Sequence, residues 1–113
     1  MKKSILPRLA LLAAATLALA NLTFAADAPA NWKSKCAMCH GADGSGQTPI
    51  GKKLKLKNYT TADAQSKMTD PEILAAITDG VTADGKTVMP AFKDKLTPDE
   101  ITALLAHIRA QKK

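Results

Sequence analysis

Two cysteines and a histidine carry the clearest chemistry in this chain. Cys36 and Cys39 lie three residues apart, and His40 follows at once. On a helix the two thiols share one face, where they can form thioethers with the two vinyl groups of one porphyrin. His40 can then offer an imidazole nitrogen to the iron. This spacing is the attachment signature of c-type haem, and it predicts one covalent haem with His40 as the proximal iron ligand.

The ligand on the other side of the iron is not decided by spacing alone. Met38 lies between the cysteines, on the side of the ring that the histidine already serves. Met68 directly precedes a predicted helix start, where a methionine commonly fills core space. Met89 lies in a non-helical loop that Pro90 stiffens, and His107 lies at the edge of the apolar stripe of the last helix. Four candidates therefore remain, and Met89 has the most favourable setting.

Other uses of the cysteine pair fit the sequence less well. Cys-x-x-Cys also occurs in thioredoxin-like proteins and in zinc sites. The chain lacks a βαβ pattern, and adjacent Cys39 and His40 with a distant His107 give poor spacing for tetrahedral zinc. A peroxidase or gas sensor would need an open iron site, and no distal acid–base pair is recognisable. We therefore do not predict an enzyme.

The amino terminus has the pattern of a secretory signal peptide. Two lysines open the chain, an apolar run extends from Leu9 to Ala20, and small residues occupy positions 23 and 25. An earlier cut or an uncleaved membrane anchor are alternatives, but the run is short for a bilayer span. The pattern predicts an export signal over residues 1–25 and one mature domain over 26–113, without stable membrane insertion after cleavage.

Composition and charge narrow the function further. Beyond residue 25 the only aromatic side chains are Trp32, Tyr59 and Phe92, so a large macrocycle would supply core that a short domain otherwise lacks. Cleavage removes three basic residues and no acid, which lowers the formal charge from +6 to +3. The predicted mature chain is only mildly basic and lacks the arginine-rich pattern of a nucleic-acid binder. The lysines that cluster in the middle of the chain form either a solvated face or a docking surface for an acidic partner: Lys52, Lys53, Lys55 and Lys57.

Three helices are predicted. The first extends from Ala28 into Cys39, with Trp32 on the same stripe as the cysteines. The second covers Pro71 to Asp79, with Asp70 as N-cap and Gly80 as the stop. The third follows a capping box and an N-terminal proline at Thr97-Pro98-Asp99-Glu100. Between them we predict a loop over 41–51, an extended segment or short irregular helix over 52–67, and non-helical chain over 81–96.

The ordered set of motifs resembles the small monohaem class I cytochromes c of bacterial periplasms. The resemblance rests on residues 36–41, on Val88-Met89-Pro90-Ala91-Phe92 and on residues 104–109, and it covers essentially all of the predicted mature chain. It implies an all-α fold of three to four helices wrapped around one covalently attached haem. It also implies Met89 as the distal ligand and one-electron transfer through a six-coordinate His/Met haem.

The resemblance further implies a monomer with redox protein partners, although the sequence leaves open a bound electron-transfer subunit of a larger dehydrogenase. Three positions depart from the family. Ala28 stands where glycine is common, Trp32 where tyrosine or phenylalanine is common, and His107 where an aromatic residue is usual. We expect Trp32 and His107 to pack together, and Pro49 to accept a hydrogen bond from the proximal imidazole.

Overall fold

The computed structural model describes residues 27–113, so the signal peptide predicted over residues 1–25 lies outside the described residues. Helices dominate, and none of those described is long and apolar enough to cross a bilayer. The elements are α1 (Ala28–Asn31), a π-helical segment (Trp32–Cys36), α2 (Ala37–His40), α3 (Pro49–Leu54), α4 (Ala62–Ser66), α5 (Asp70–Asp79), β1 (Val81–Ala83), β2 (Lys86–Met89) and α6 (Pro98–Ala110).

The first predicted helix is present as α1, the π-helical segment and α2 in direct succession. The side chain of Asp27 caps it by accepting a hydrogen bond from the backbone N–H of Ala30 at 3.1 Å. The π-helical segment was not predicted, because a single wider turn leaves little trace in an apolar repeat. The run ends at Gly41, whose φ of +84° favours glycine.

The loop prediction over 41–51 is wrong for its last three residues. Thr48 caps α3 by accepting a hydrogen bond from the backbone N–H of Gly51, and Pro49 occupies the first turn. A proline in that position is compatible with a helix start, which outweighs the glycine content of the segment. Lys55 then ends α3 in the left-handed conformation, with φ 55° and ψ 47°.

Helix α5 was predicted correctly, but its N-cap was not. Thr69, rather than Asp70, is the N-cap, and it forms a capping box with Glu72. The hydroxyl of Thr69 accepts from the Glu72 N–H, while the Glu72 carboxylate accepts from the Thr69 N–H. The threonine lies one residue earlier and can therefore satisfy the orphan donors of the first turn.

A short antiparallel hairpin, β1 paired with β2, was also missed by the sequence analysis. Asp84 and Gly85 form its two-residue turn with φ of 51° and 74°. Positive φ at both central residues is the requirement of a type I′ turn. The hairpin places Met89 at the end of β2 and opposite Val81.

Helix α6 closes the fold by packing on α1 and α5. Its predicted capping box between Thr97 and Glu100 is confirmed, and its buried face consists of Ile101, Leu104 and Ile108. This face joins Trp32 and the apolar side of α5 in one core. The mainly helical architecture confirms the all-α prediction, with the hairpin and additional short helices beyond the three to four predicted.

Candidate haem site

The residues that could attach a haem and bind its iron line one cavity of about 380 Å³. Cys36, Cys39 and His40 contribute to its wall, and Met89 with Pro90 contributes from the hairpin side. Most of the remaining wall is apolar and comes from α5, α6 and the segments beside them: Leu54, Leu56, Met68, Ile73, Ala76, Ile77, Val81, Val88, Phe92, Leu104 and Ile108. A concave and largely apolar cavity suits a large apolar ligand.

The two cysteines stand on successive parts of the first helical run. Cys36 ends the π-helical segment and Cys39 lies on α2. Both are half-buried, and they do not form a disulfide with each other. Burial raises the pKa of Cys36 to about 11, so that this group is a neutral thiol at physiological pH. Since neither cysteine forms a disulfide, both sulfur atoms are available for covalent attachment.

His40 has the environment of a metal ligand. Burial lowers the pKa of its imidazole, so the neutral ring, with one nitrogen lone pair, predominates at neutral pH. Its ring stacks on Tyr59 with centroids 5.3 Å apart and packs on Trp32 at 5.7 Å. Nδ1 is buried, and no residue of 27–113 offers it a hydrogen bond. An orphaned buried polar atom calls for a partner that the polypeptide does not supply.

The hydrogen bond expected between the imidazole and the Pro49 carbonyl is therefore not present. Instead, the segment that follows His40 folds back on the end of α2. The Thr48 hydroxyl donates to the Cys39 carbonyl at 2.6 Å, and the Gly46 N–H donates to the His40 carbonyl at 2.7 Å. A Cβ at Gly51 would stand 2.7 Å from the Cys39 carbonyl oxygen. These contacts to backbone carbonyls hold the cysteine–histidine motif without a direct bond to the imidazole.

Of the other sulfur and imidazole candidates, only two methionines line the cavity. Met89 is half-buried at the end of β2, and Met68 is 8% exposed within the core. Met38 is 78% exposed and does not line it. His107 does not line it either, but packs on Trp32 with centroids 5.4 Å apart. That contact confirms the predicted pairing across the helix crossing.

Tyr59 is a site residue that the sequence analysis did not assign. It lies in the segment left undecided between an extended chain and an irregular helix, and its ring covers His40. Burial raises the pKa of its phenol. Its only signal in the sequence is that it is one of three aromatic residues beyond residue 25, each of which packs in the core.

The residues present fit a covalently attached haem: two thiols and a neutral imidazole with a buried, unpartnered nitrogen share an apolar cavity with two thioethers. Comparison with known proteins agrees. The family described as cytochrome C oxidase, cbb3-type, subunit III matches residues 24–108. A cytochrome c6 from Leptolyngbya boryana is 41% identical over 86 residues, which cover 74% of this chain and 91% of that protein.

Solved structures give the same result. The KustC0563 c-type cytochrome superposes with a TM-score of 0.67 at 34% identity, over 77% of this chain and 99% of that chain. A mutant of the same cytochrome gives a TM-score of 0.65 at 34% identity, over 76% and 99% of the two chains. The chain therefore belongs to the cytochrome c family, as a small monohaem class I member that carries covalent haem c and transfers electrons to and from redox partners.

Proposed function

We propose that the chain is a periplasmic carrier of single electrons whose haem is held by four of its own residues. Cys36 and Cys39 form the thioethers, His40 is the proximal iron ligand and Met89 is the distal one. The observation that supports this assignment is the presence of all four side chains on the wall of one largely apolar cavity. When bound, haem supplies reversible one-electron chemistry at iron.

The side chains set the conditions for that chemistry. A methionine thioether is a soft and weakly basic donor, so a His40/Met89 pair favours ferrous iron and raises the reduction potential relative to two nitrogen donors. The apolar wall disfavours the additional charge of ferric haem and acts in the same direction. With His40 and Met89 both holding the iron, no substrate would reach it, and the haem would supply electron exchange without bond formation at the metal.

Replacement of Met89 by alanine tests the axial assignment. We expect the sulfur-to-ferric-iron charge-transfer band to disappear, and the ferrous protein to bind carbon monoxide at neutral pH, which the unaltered protein should not do. Two other methionines provide matched controls, because Met68 also lines the cavity and Met38 is exposed. Met68→Ala and Met38→Ala should keep the band. An unchanged spectrum in Met89→Ala, or loss of the band in Met68→Ala, would overturn the assignment.

Export to the periplasm is proposed from the sequence of residues 1–25. The intact mass of the haem protein recovered from the periplasm should correspond to a chain that begins at Ala26 and carries one haem. A mass that includes residues 1–25 would contradict the cleavage.

A second candidate function is that of a bound electron-transfer subunit. It is favoured by the matching family, which is described as subunit III of a cbb3-type cytochrome C oxidase. Sizing the protein from native periplasm separates the two roles: a free carrier elutes as a monomer, and a subunit elutes with its complex.

We further propose that exposed lysines guide the carrier to partners with acidic docking surfaces. Lys52 and Lys53 lie exposed on α3. Opposite charges on two proteins chiefly increase the rate at which they meet.

A further inference from the structure

We propose that Lys55 and Lys57 bind the two propionate carboxylates of the haem, whereas Lys52 and Lys53 of the same cluster serve only the outer surface. The proposal deepens the haem binding proposed above and rests on it. It divides a run of four lysines, which the sequence alone presents as one patch, into two pairs with different ligands.

The course of the chain separates the two pairs. Lys52 and Lys53 lie within α3 and do not line the cavity. The left-handed residue that ends α3 is Lys55 itself. From there the chain follows the cavity, and Lys55, Leu56 and Lys57 all line its wall. The turn at Lys55 thus carries the second pair from the helix surface to the cavity.

The second pair also has no acidic partner. Among residues 27–113, the ion pairs within 4 Å are Lys67–Asp63, Lys93–Asp79 and Arg109–Asp70. Lys55 and Lys57 are exposed residues that line an apolar cavity, and neither forms an ion pair with a carboxylate of residues 27–113. A cation in this position favours a negatively charged group on whatever fills the cavity.

Two other lysine or acidic residues line the cavity, and neither suits the propionates. Lys35 directly precedes Cys36, and its positive charge acts on the Cys36 thiol. It therefore lies where the haem vinyl groups would be attached. Glu72 is negative, and its carboxylate already accepts the Thr69 N–H in the cap of α5. Haem carries its propionates on the edge opposite its vinyl groups. Attachment at Cys36 and Cys39 therefore leaves the propionates to a different segment of the wall, and Lys55 and Lys57 are its cations.

The energetics favour such a pairing. A carboxylate beside an apolar wall loses hydration and needs a charged or hydrogen-bonding partner to stay ionised. Lysine supplies a compact charge on a flexible stem. An opposite charge within about 4–6 Å lowers a carboxyl pKa by about 1–3 units, so the lysines would keep both propionates ionised to lower pH.

Two double variants with the same change in net charge test the proposal. The haem reduction potential of Lys55→Gln/Lys57→Gln and of Lys52→Gln/Lys53→Gln is measured as a function of pH. The potential falls where a propionate ionises, because the new negative charge stabilises ferric haem. Without its lysines the propionate ionises later, so this step should move to higher pH by about one unit in Lys55→Gln/Lys57→Gln. It should stay in place in Lys52→Gln/Lys53→Gln, and in Lys55→Arg/Lys57→Arg, which keeps the charge.

The proposal would be overturned if the ionisation step moved equally in the two glutamine double variants. It would also be overturned if the step did not move in Lys55→Gln/Lys57→Gln. If that double variant does not mature, Lys55→Gln and Lys57→Gln are each compared with Lys53→Gln under the same criterion. The charge-transfer band is recorded in every sample and in Met89→Ala, because it reports a methionine–iron bond independently of the propionates. If the Met89 assignment fails, the band is absent from the unaltered protein or persists in Met89→Ala. A failed propionate assignment leaves the band as expected for Met89 and the ionisation step unmoved.

Discussion

Trp32 is the residue that holds the proximal side of the site together. It is only 3% exposed, and its indole N–H donates to the Gly41 carbonyl at 2.9 Å. Its ring lies against both His40 and His107. A phenylalanine or tyrosine, which the family more often has here, cannot place an N–H in the same position. The indole therefore fixes the turn after the motif and the orientation of His40 together.

We expect Trp32→Phe to lower the free energy of unfolding by about 1–3 kcal/mol. The replacement leaves the Gly41 carbonyl without its donor in a buried setting, and an unsatisfied buried acceptor costs about that much. Urea unfolding of the haem protein, followed by far-ultraviolet circular dichroism, measures the effect. His107→Phe is the control, because it keeps a ring against the indole and leaves the hydrogen bond intact. Equal stability of Trp32→Phe and the unaltered protein would contradict this account.

At the scale of elements, the approach of α5 to the hairpin positions Met89. Gly80 ends α5 with φ 74° and ψ −176°, a region that is essentially restricted to glycine. A Cβ at this position would lie 2.5 Å from the Met89 carbonyl oxygen and 2.8 Å from the Ala91 N–H nitrogen. The chain around the proposed ligand therefore packs directly on a position that has no room for a side chain.

Gly80→Ala should both destabilise the protein and disturb the proposed iron ligand. The backbone conformation alone should lower the free energy of unfolding by about 1–3 kcal/mol when the residue is alanine. The close contact with the Met89 carbonyl should also displace the loop that carries Met89. Thermal unfolding and the charge-transfer band are the two measurements. Gly85→Ala is a matched control, since its φ is also 74° but its Cβ would meet nothing within 4 Å. It should lower stability and leave the band unchanged, and a weakened band in this control would count against the specific role of Gly80.

The cap of α6 should make stability depend on acid pH. The carboxylate of Glu100 accepts hydrogen bonds from the Thr97 N–H and the Asn31 side chain, and these hold its pKa below the usual range. A lowered pKa in the folded state means that the stabilisation is complete above the unfolded value of about 4.3. It is lost as the pH falls through the folded value.

We therefore expect the difference in melting temperature between the unaltered protein and Glu100→Gln to be largest at neutral pH and to diminish below about pH 4. Thermal melts at a series of pH values measure it. A difference that stayed constant down to pH 3 would show that the charge of Glu100 does not contribute through the cap.

The sequence predicted those elements whose ends are marked by residues adjacent to them in the chain, such as capping residues. The capping box at Thr97 is of this kind, and it was identified correctly. The hairpin also had a local signal, because Asp84-Gly85 is a preferred type I′ turn pair. Its strands are only three and four residues long, too short for a period-2 pattern to stand out. The pairing of Tyr59 with His40 could not be predicted, since it depends on how distant segments pack.

At the scale of the whole molecule, hydrogen bonds join segments that are far apart in sequence. The Arg109 guanidinium donates to the Gln65 side chain and to the Met68 carbonyl at 2.9 and 2.7 Å. Asn31 donates to Glu100 at 2.9 Å, and the Lys113 N–H donates to the Thr60 carbonyl at 2.8 Å. These bonds join the carboxyl-terminal part of the described chain both to its middle and to α1. Lys52 and Lys53 of α3 remain exposed.

Electron transfer with an acidic partner should slow as salt is added. The predicted mature chain carries a formal charge of +3, and attraction between exposed charges is screened within about 8–10 Å at 0.10–0.15 M ionic strength. Stopped-flow reduction of the haem by a purified acidic partner, at several salt concentrations, measures the effect. Lys52→Gln/Lys53→Gln should show a lower rate and a shallower salt dependence. A rate independent of ionic strength would exclude steering by these lysines.

The cavity wall extends in sequence from Trp32 to Ile108, almost the whole described chain. Local unfolding of almost any segment would therefore change the environment of the haem. The visible absorption spectrum should report partial unfolding of this protein before α6 has unfolded.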